Sequence, residues 1–105
     1  MTAVLDLLHW RHIEAWRNNN QAVYDPSRKV FRKPPKGCIK GVPDVAGYFA
    51  DGKAIFIECK KPGGKVSKEQ KEFIRKAQGS GCFAMVADNV VDVDKAIMDW
   101  YSNKR

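Results

Sequence analysis

Residues 42–60 have the sequence VPDVAGYFADGKAIFIECK, and this stretch decides the fold. Two apolar runs, residues 42–50 and 53–60, lie on either side of Asp51-Gly52, a dipeptide typical of the turn in a β-hairpin. Residues 62–64 (PGG) then interrupt any regular strand. The stretch therefore predicts two antiparallel strands in the middle of the chain.

Three other stretches have the marks of helices. Residues 3–13 place apolar side chains on one stripe at helical spacing. Ser67–Gln70 has the S-x-x-Q form of a capping box, which predicts a second helix that begins there and ends at Gly79 or Gly81. Asp92 is the expected cap of a last helix with an apolar face.

Further strands are predicted at residues 15–23, 29–32 and 82–87. The last of these is apolar throughout, which is typical of a buried strand. Because a helix separates it from the strand that ends at Lys60, these two strands should be parallel, with a right-handed connection. The order of elements predicts an α/β fold in which a mixed sheet is flanked by helices.

The charge of the chain is concentrated in its middle part. The sequence has 19 Lys and Arg against 12 Asp and Glu, a formal net charge of +7. Residues 28–40 hold six cations and no acid, and residues 53–76 hold eight cations and three acids. Such clusters suit a polyanion, because neutralising its phosphates releases bound counterions. A merely solubilising surface would have the same composition.

The cysteines and the lengths of the apolar runs indicate in which cellular compartment the protein is expected. Cys38, Cys59 and Cys82 form no C-x-x-C pair, and their odd number and spacing predict reduced thiols and no zinc site. We find no apolar run long enough to span a bilayer and no signal-peptide pattern. We therefore expect an intracellular protein without a membrane segment.

The candidate chemistry lies at the ends of the two hairpin strands. Glu58 and Lys60 are two residues apart on one strand, so their side chains share a face. A two-residue turn at Asp51-Gly52 would pair Asp44 with Cys59 and send Asp44 to the other face. A three-residue loop with Gly52 in the left-handed conformation pairs Asp44 with Glu58 instead. We predict the second register, which brings Asp44, Glu58 and Lys60 together.

Two carboxylates and an ammonium group in one cluster suit metal-assisted phosphate chemistry. Asp44 and Glu58 would bind Mg²⁺ or Mn²⁺, with the Cys59 carbonyl as a possible third oxygen ligand. Lys60 would position a water molecule or stabilise transition-state charge, and Gln70 would face the same region. The alternative is that these residues have no catalytic role. Pro43-Asp44 would then only open a turn, and Glu58 and Lys60 would form a solvated ion pair at the end of a strand.

At these residues the chain resembles the VRR-NUC domain of the PD-(D/E)xK nuclease superfamily. The resemblance runs from about residue 4 to residue 97. The matching stretches are WRNN at residues 16–19, KGVPD at 40–44, IECK at 57–60, KVSKEQ at 65–70 and the strand at 81–87.

The resemblance implies a restriction-endonuclease-like αβββαβ core, formed here by residues 1–105 as a single domain. It implies a Mg²⁺- or Mn²⁺-dependent DNA endonuclease, specific for branched structures such as Holliday junctions and acting as a homodimer in a bacterial or phage-infected cell. Asp44 and Glu58 would be metal ligands, Lys60 the catalytic lysine and Gln70 a supporting residue. Relatives often place an acid in the first helix, for which Asp6 and Glu14 are both candidates.

The basic residues near these motifs are the expected DNA contacts. They are Arg17, Arg32, Lys33, Lys36, Lys40, Lys61, Lys65 and Lys68. The alternative function is a non-catalytic module that binds structured DNA with the same fold. Charge and fold favour both functions equally, whereas the three residues Asp44, Glu58 and Lys60 favour the enzyme.

Overall fold

The computed structural model describes residues 1–18, 23–25, 30–32 and 41–103. The helices within these ranges are α1 (Thr2–Trp10), α2 (Lys68–Gly79) and α3 (Val90–Ser102). The strands are β1 (Glu14–Arg17), β2 (Val23–Asp25), β3 (Val30–Arg32), β4 (Val45–Tyr48), β5 (Ala54–Cys59) and β6 (Phe83–Ala87).

Four of the strands form a mixed sheet in the order β1-β4-β5-β6. β1 and β5 both pair with β4 antiparallel, and β6 pairs with β5 in parallel after α2. With β2 and β3 set aside, the helices and strands follow the predicted order αβββαβ, and α3 comes last. The structure confirms the predicted α/β class with a mixed sheet flanked by helices.

The strands predicted before the hairpin need correction. In the described part of the strand expected at residues 15–23, residues 15–17 belong to β1 of the main sheet and Val23 belongs to β2. β3 lies where a strand was expected at residues 29–32, but it pairs with β2 in a separate two-stranded sheet. Its local pattern predicted a strand correctly, but the strand does not belong to the main mixed sheet.

The main sheet has one thickly covered face and one thinly covered face. On the first, which we call the α1–α3 face, Ile55 and Ile57 of β5 are fully buried in a cluster with Leu8 of α1 and Ile97 of α3. On the second, the α2 face, the buried cluster is smaller and consists of Ile74, Ala77 and Ala84. The main core therefore lies on the α1–α3 face.

Two helix boundaries have clear local causes. α1 ends at Trp10, not at residue 13, because His12 takes φ 62° and the Ile13 N–H donates to Leu8 O at 2.9 Å. This 6→1 bond is the mark of a Schellman motif. α3 is capped by Asn89, whose side chain accepts from the Asp92 N–H at 2.8 Å. The expectation that Asp92 caps this helix was therefore wrong.

The aromatic residues of α3 differ in exposure. Trp100 packs against the core and stacks on Phe49 at 5.4 Å between ring centroids, whereas Tyr101 is 42% exposed. Among the described helices, none is both long and apolar enough to cross a membrane.

Candidate active site

The hairpin register puts the two predicted carboxylates opposite each other. Val45 pairs with Ile57, so the preceding Asp44 lies across from Glu58. The connecting loop has three residues, since the Phe49 N–H donates to Lys53 O at 2.9 Å and Gly52 takes φ 90°. The predicted three-residue loop and register are confirmed. By strand alternation both carboxylates lie on the α2 face.

Glu58 is buried, with 5% of its surface exposed, and both of its carboxylate oxygens accept hydrogen bonds. Gln70 Nε2 donates to Oε1 at 2.7 Å, and the Asp44 N–H donates to Oε2 at 3.3 Å. A buried carboxylate with partners on both oxygens is held in one orientation. The orientation of Glu58 therefore depends on α2 and on the segment before β4 together.

The start of α2 determines which end of the Gln70 side chain reaches Glu58. The Ser67 N–H donates to Gln70 Oε1 at 2.8 Å, and the Gln70 N–H donates to Ser67 Oγ at 3.1 Å. This is the capping box that the sequence predicted. Because Oε1 is occupied by the cap, the amide nitrogen is the end that faces Glu58. Gln70 is thus fixed as a donor to the carboxylate.

Asp44 is held by the backbone of two neighbouring strands. The Cys59 N–H donates to its Oδ2 at 3.2 Å, and the Asn18 N–H donates to its carbonyl oxygen at 2.6 Å. Asn18 Nδ2 also donates to Pro43 O at 3.3 Å. The residue that follows β1 therefore fixes the backbone of the Pro43-Asp44 pair.

Gly41 allows the segment before Asp44 to lie directly on the first turn of α2. A Cβ at this position would lie 2.7 Å from Gln70 N and closer still to the Glu69 carbonyl group. Gly41 also has φ 81°, a conformation that favours glycine. This close approach holds the segment before Asp44 against the turn of α2 that carries Gln70.

Burial and a neighbouring charge change the protonation of the site. Burial, together with the charge of Asp44, raises the pKa of Glu58 from its ordinary value of 4.5 to about 7. Burial also raises the pKa of the Cys59 thiol, which packs against the main core. The thiol therefore stays protonated at neutral pH, and within the described part of the chain no ion pair compensates an ionised Glu58.

The carboxylate pair fits a hard divalent cation. Such ions prefer carboxylate oxygens and keep several waters when only one or two carboxylates bind them. Burial and the charge of Asp44 both disfavour an ionised Glu58, and a bound cation would stabilise its negative charge. Among the described residues, no group of three or more His, Cys, Asp and Glu side chains is placed to hold a metal ion. The candidate site thus consists of two acidic side chains.

Lys60 lies at the same edge of the sheet, but its ammonium group contacts a loop. Its Nζ donates to Gly64 O at 3.3 Å, in the turn that follows β5. The structure thus brings Asp44, Glu58 and Gln70 into one hydrogen-bonded cluster. Lys60 comes from the same strand end, but among the described residues its ammonium group makes no bond to this cluster, so the predicted convergence of Lys60 with the two carboxylates is not observed.

The predicted DNA contacts are distributed unevenly. Lys61, Lys65 and Lys68 are exposed in the loop after β5 and at the start of α2. Arg17 is exposed and pairs with Val45, so it belongs to the α1–α3 face. The predicted contacts outside the described residues or side chains are Arg32, Lys33, Lys36 and Lys40.

The two candidates for an additional acid lie away from the pair. Glu14 pairs with Tyr48, four residues along β4 from Asp44, which is about 13 Å at the usual rise of a strand. Asp6 is exposed on α1, which packs on the opposite face of the sheet. The described residues of α1 and β1 therefore bring no third carboxylate to the site.

Sequence reasoning missed the supporting roles of Asn18 and Gly41. Both lie in the matching stretches WRNN and KGVPD, whose sequence alone indicates no role for either residue. A glycine three residues before the candidate aspartate Asp44 is a usable signal, since such a glycine is typical of a close backbone approach. The bonds from Asn18 had no such signal, because they depend on how β1 pairs.

The chain matches the family model described as VRR-NUC domain over residues 6–91. No curated protein and no solved structure matches it. The match covers most of the chain and includes every residue of the carboxylate cluster.

Proposed function

Because the chain belongs to the VRR-NUC domain family, a family of nuclease domains, we propose that it is a divalent-metal-dependent endonuclease that hydrolyses phosphodiester bonds of branched DNA. The observation that supports this most strongly is the carboxylate pair. Asp44 and Glu58 lie opposite each other in the register, and Gln70 and two backbone N–H groups orient them. A solvated strand end would not need a buried acid with both oxygens bonded.

In this proposal Asp44 and Glu58 hold Mg²⁺ or Mn²⁺, and the backbone carbonyl of Cys59 is the candidate third oxygen ligand. The bound ion would supply Lewis-acid chemistry toward the phosphoryl group. The residues keep their orientation through bonds to α2 and to β1, so little rearrangement is needed when the substrate arrives. Burial of Glu58 also limits competing hydration of its carboxylate.

Lys60 is the proposed catalytic lysine. Its side chain leaves the Gly64 carbonyl and turns toward the scissile phosphate, where the ammonium group stabilises negative charge in the transition state. The exposed Lys61, Lys65 and Lys68 follow Lys60 along the chain and would contact phosphates on either side of the cut. These contacts position the DNA without reading its sequence.

We propose that the active form is a homodimer in a bacterial or phage-infected cell. Cutting two symmetric strands of a four-way junction requires two active sites, which a two-fold dimer supplies. Exposed apolar side chains on α3, among them Met98 at 54% and Val91 at 58%, are available for such a contact. Light scattering at micromolar concentration should give twice the chain mass of 11.9 kDa. A monomeric mass would contradict the dimer.

The decisive test is a cleavage panel. Labelled junction, flap and duplex DNA are incubated with the protein and Mg²⁺, Mn²⁺ or EDTA. We expect cutting of the branched substrates with either metal and none in EDTA. Asp44→Asn keeps an acceptor for the Cys59 N–H but weakens metal binding, and it should lower the rate about a thousandfold, equivalent to several kcal/mol of lost stabilisation.

Lys60→Ala should also abolish most of the cutting, whereas the matched variant Lys95→Ala, at an exposed lysine of α3, should retain it. Binding of branched DNA without cutting under every metal condition would contradict the enzyme and support the non-catalytic module. Equal activity of wild type and Asp44→Asn would show that the cutting comes from elsewhere.

A further inference from the structure

Two exposed aromatic side chains lie on the α2 face next to the carboxylate pair. Trp16 of β1 pairs with Ala46 of β4, and Tyr48 lies two residues further along β4. By strand alternation, Trp16, Ala46 and Tyr48 all share the face of Asp44. Trp16 is 49% exposed and Tyr48 is 47% exposed. The rings therefore belong to the surface and are not part of the core.

The two rings form a pair with free surface. Their centroids are 6.3 Å apart and their planes differ by 65°, an edge-to-face arrangement. This geometry satisfies the quadrupoles of the two rings but leaves ring surface open to a third flat group. The neighbouring Ala46 has only a methyl group, so it does not cover the rings. A planar aromatic ligand is the group that such a surface recognises best.

The pair is continuous with the candidate active site. Ala46 is two residues from Asp44 along β4, which corresponds to about 7 Å at the usual rise of a strand. Trp16 in turn is two residues from Asn18, whose backbone bonds Asp44. A nucleotide next to a phosphate at the carboxylates would thus lie over the two rings.

The charges around the pair suit a base better than a phosphate. Among the described residues of β1, β4 and β5 that share this face, none is Lys or Arg, and Glu14 lies across from Tyr48. A carboxylate repels the DNA backbone but tolerates a neutral base. The cations of the site, Lys60 and Lys61, come instead from the strand end beside Glu58. Phosphate contacts and aromatic contacts are therefore separated along the sheet.

We propose that Trp16 and Tyr48 form a stacking site for an unpaired base adjacent to the scissile phosphate. The proposal rests on the proposed nuclease function and narrows its substrate to DNA with an unpaired nucleotide next to the cut. Within a duplex both faces of a base are covered by its neighbours, so only a splayed or flipped nucleotide can stack on protein rings. Base–aromatic stacking also tolerates any sequence.

The test compares two DNAs with the same backbone. One is a splayed-arm DNA with unpaired thymidines next to the branch, and the other carries abasic sites at the same positions. Affinity is measured by fluorescence anisotropy in EDTA, where no cutting occurs. Trp16→Ala and Tyr48→Ala should each bind the thymidine DNA about tenfold more weakly than wild type does. Both variants should bind the abasic DNA with the same affinity as wild type.

Trp10→Ala is the matched control, since Trp10 is 76% exposed but lies at the end of α1, which packs on the α1–α3 face. It should bind both DNAs like wild type, and Trp16→Phe should recover most of the lost affinity. Thermal melting of each variant checks the fold. Equal weakening on both DNAs, or no weakening on either, would overturn the stacking site.

The same samples separate this inference from the proposed function. In one outcome, wild type with Mg²⁺ or Mn²⁺ cuts neither DNA but binds the thymidine DNA more tightly than the abasic DNA, and Trp16→Ala removes this preference. This outcome overturns the proposed nuclease function and supports the stacking site. If wild type cuts both DNAs at the same rate and Trp16→Ala does not change affinity, the nuclease stands and the stacking site is overturned.

Discussion

Ile57 and Glu58 are neighbours on β5, and they point to two differently built halves of the molecule. Ile57 is fully buried on the α1–α3 face, within the large apolar cluster. Glu58 is buried on the α2 face, where Asp44 and Gln70 donate hydrogen bonds to its carboxylate. One strand thus contributes to the core with one side chain and to the candidate site with the next.

The difference between the two faces separates stability from chemistry. On the α1–α3 face, burial of apolar area provides most of the favourable free energy of folding. On the α2 face, burial of the Glu58 carboxylate has a free-energy cost that its two hydrogen-bond donors only partly offset. A thick core on one side therefore permits an unfavourable charge on the other.

The largest expected effect contrasts one substitution on the two faces. Ile57→Ala should lower the free energy of unfolding by about 4 kcal/mol, and Ile74→Ala, on α2, by about 2 kcal/mol. Ile57 is fully buried in the larger cluster, whereas Ile74 is 8% exposed in the smaller one. Chemical denaturation measures both values. An equal or larger cost for Ile74→Ala would contradict the contrast.

The next effect is the pH dependence of the metal-free protein. Because the pKa of Glu58 is raised from 4.5 to about 7, its contribution to stability is fully present below pH 4.5 and is lost as the pH rises through 7. The loss should be at most about 3 kcal/mol. Thermal melts in EDTA between pH 4.5 and 8 measure it.

Glu58→Gln is the control for this titration, since it replaces the acid with a neutral group of the same shape. The difference in stability between wild type and Glu58→Gln should grow in favour of the variant as the pH rises. A difference that stays constant across this range would mean that Glu58 titrates as in the unfolded chain.

A smaller effect distinguishes two glutamines of α2. Gln70 donates to Glu58, and Gln78 donates to Ala84 O at 2.7 Å, so each bonds the helix to the sheet. Either substitution to Ala should cost about 1 kcal/mol of stability. Only Gln70→Ala should lower the cleavage rate, about tenfold, because only Gln70 orients Glu58, a proposed metal ligand. Equal cleavage rates for the two variants would contradict the proposed role of Gln70 in orienting Glu58.

The smallest effect concerns the ends of α1 and α2. Both helices end in a Schellman motif, with His12 at φ 62° in one and Gly81 at φ 88° in the other. His12→Gly should raise the free energy of unfolding by about 0.5 kcal/mol, because it removes a left-handed residue with a Cβ. Gly81→Ala should lower it by about 1 kcal/mol. Thermal melts of the two variants should therefore shift in opposite directions.

Local signals determined which parts of this structure could be predicted. The Asp51-Gly52 turn, the left-handed Gly52 and the strand alternation were enough to place Asp44 opposite Glu58. The S-x-x-Q pattern was enough for the start of α2. Each of these features depends on residues close together in the sequence.

The errors involve distant partners or competing local signals. β1 is short, and its extent is set by pairing with β4, about thirty residues away. β2 and β3 pair with each other in a second sheet, and the local sequence of each strand does not indicate which sheet it joins. At α3, Asn89 and Asp92 are both good caps, and the helix begins at the first of them.

The close backbone contact at Gly41 should limit which sequence changes members of this family can accumulate. The lack of a side chain at this position lets two segments almost thirty positions apart touch at the backbone, so a mutation there must be matched by a shift of the first turn of α2. Natural variation at position 41 should accordingly track variation at positions 69 and 70. Lineages that have given up the acidic pair would be released from this constraint and would accumulate bulkier residues at position 41.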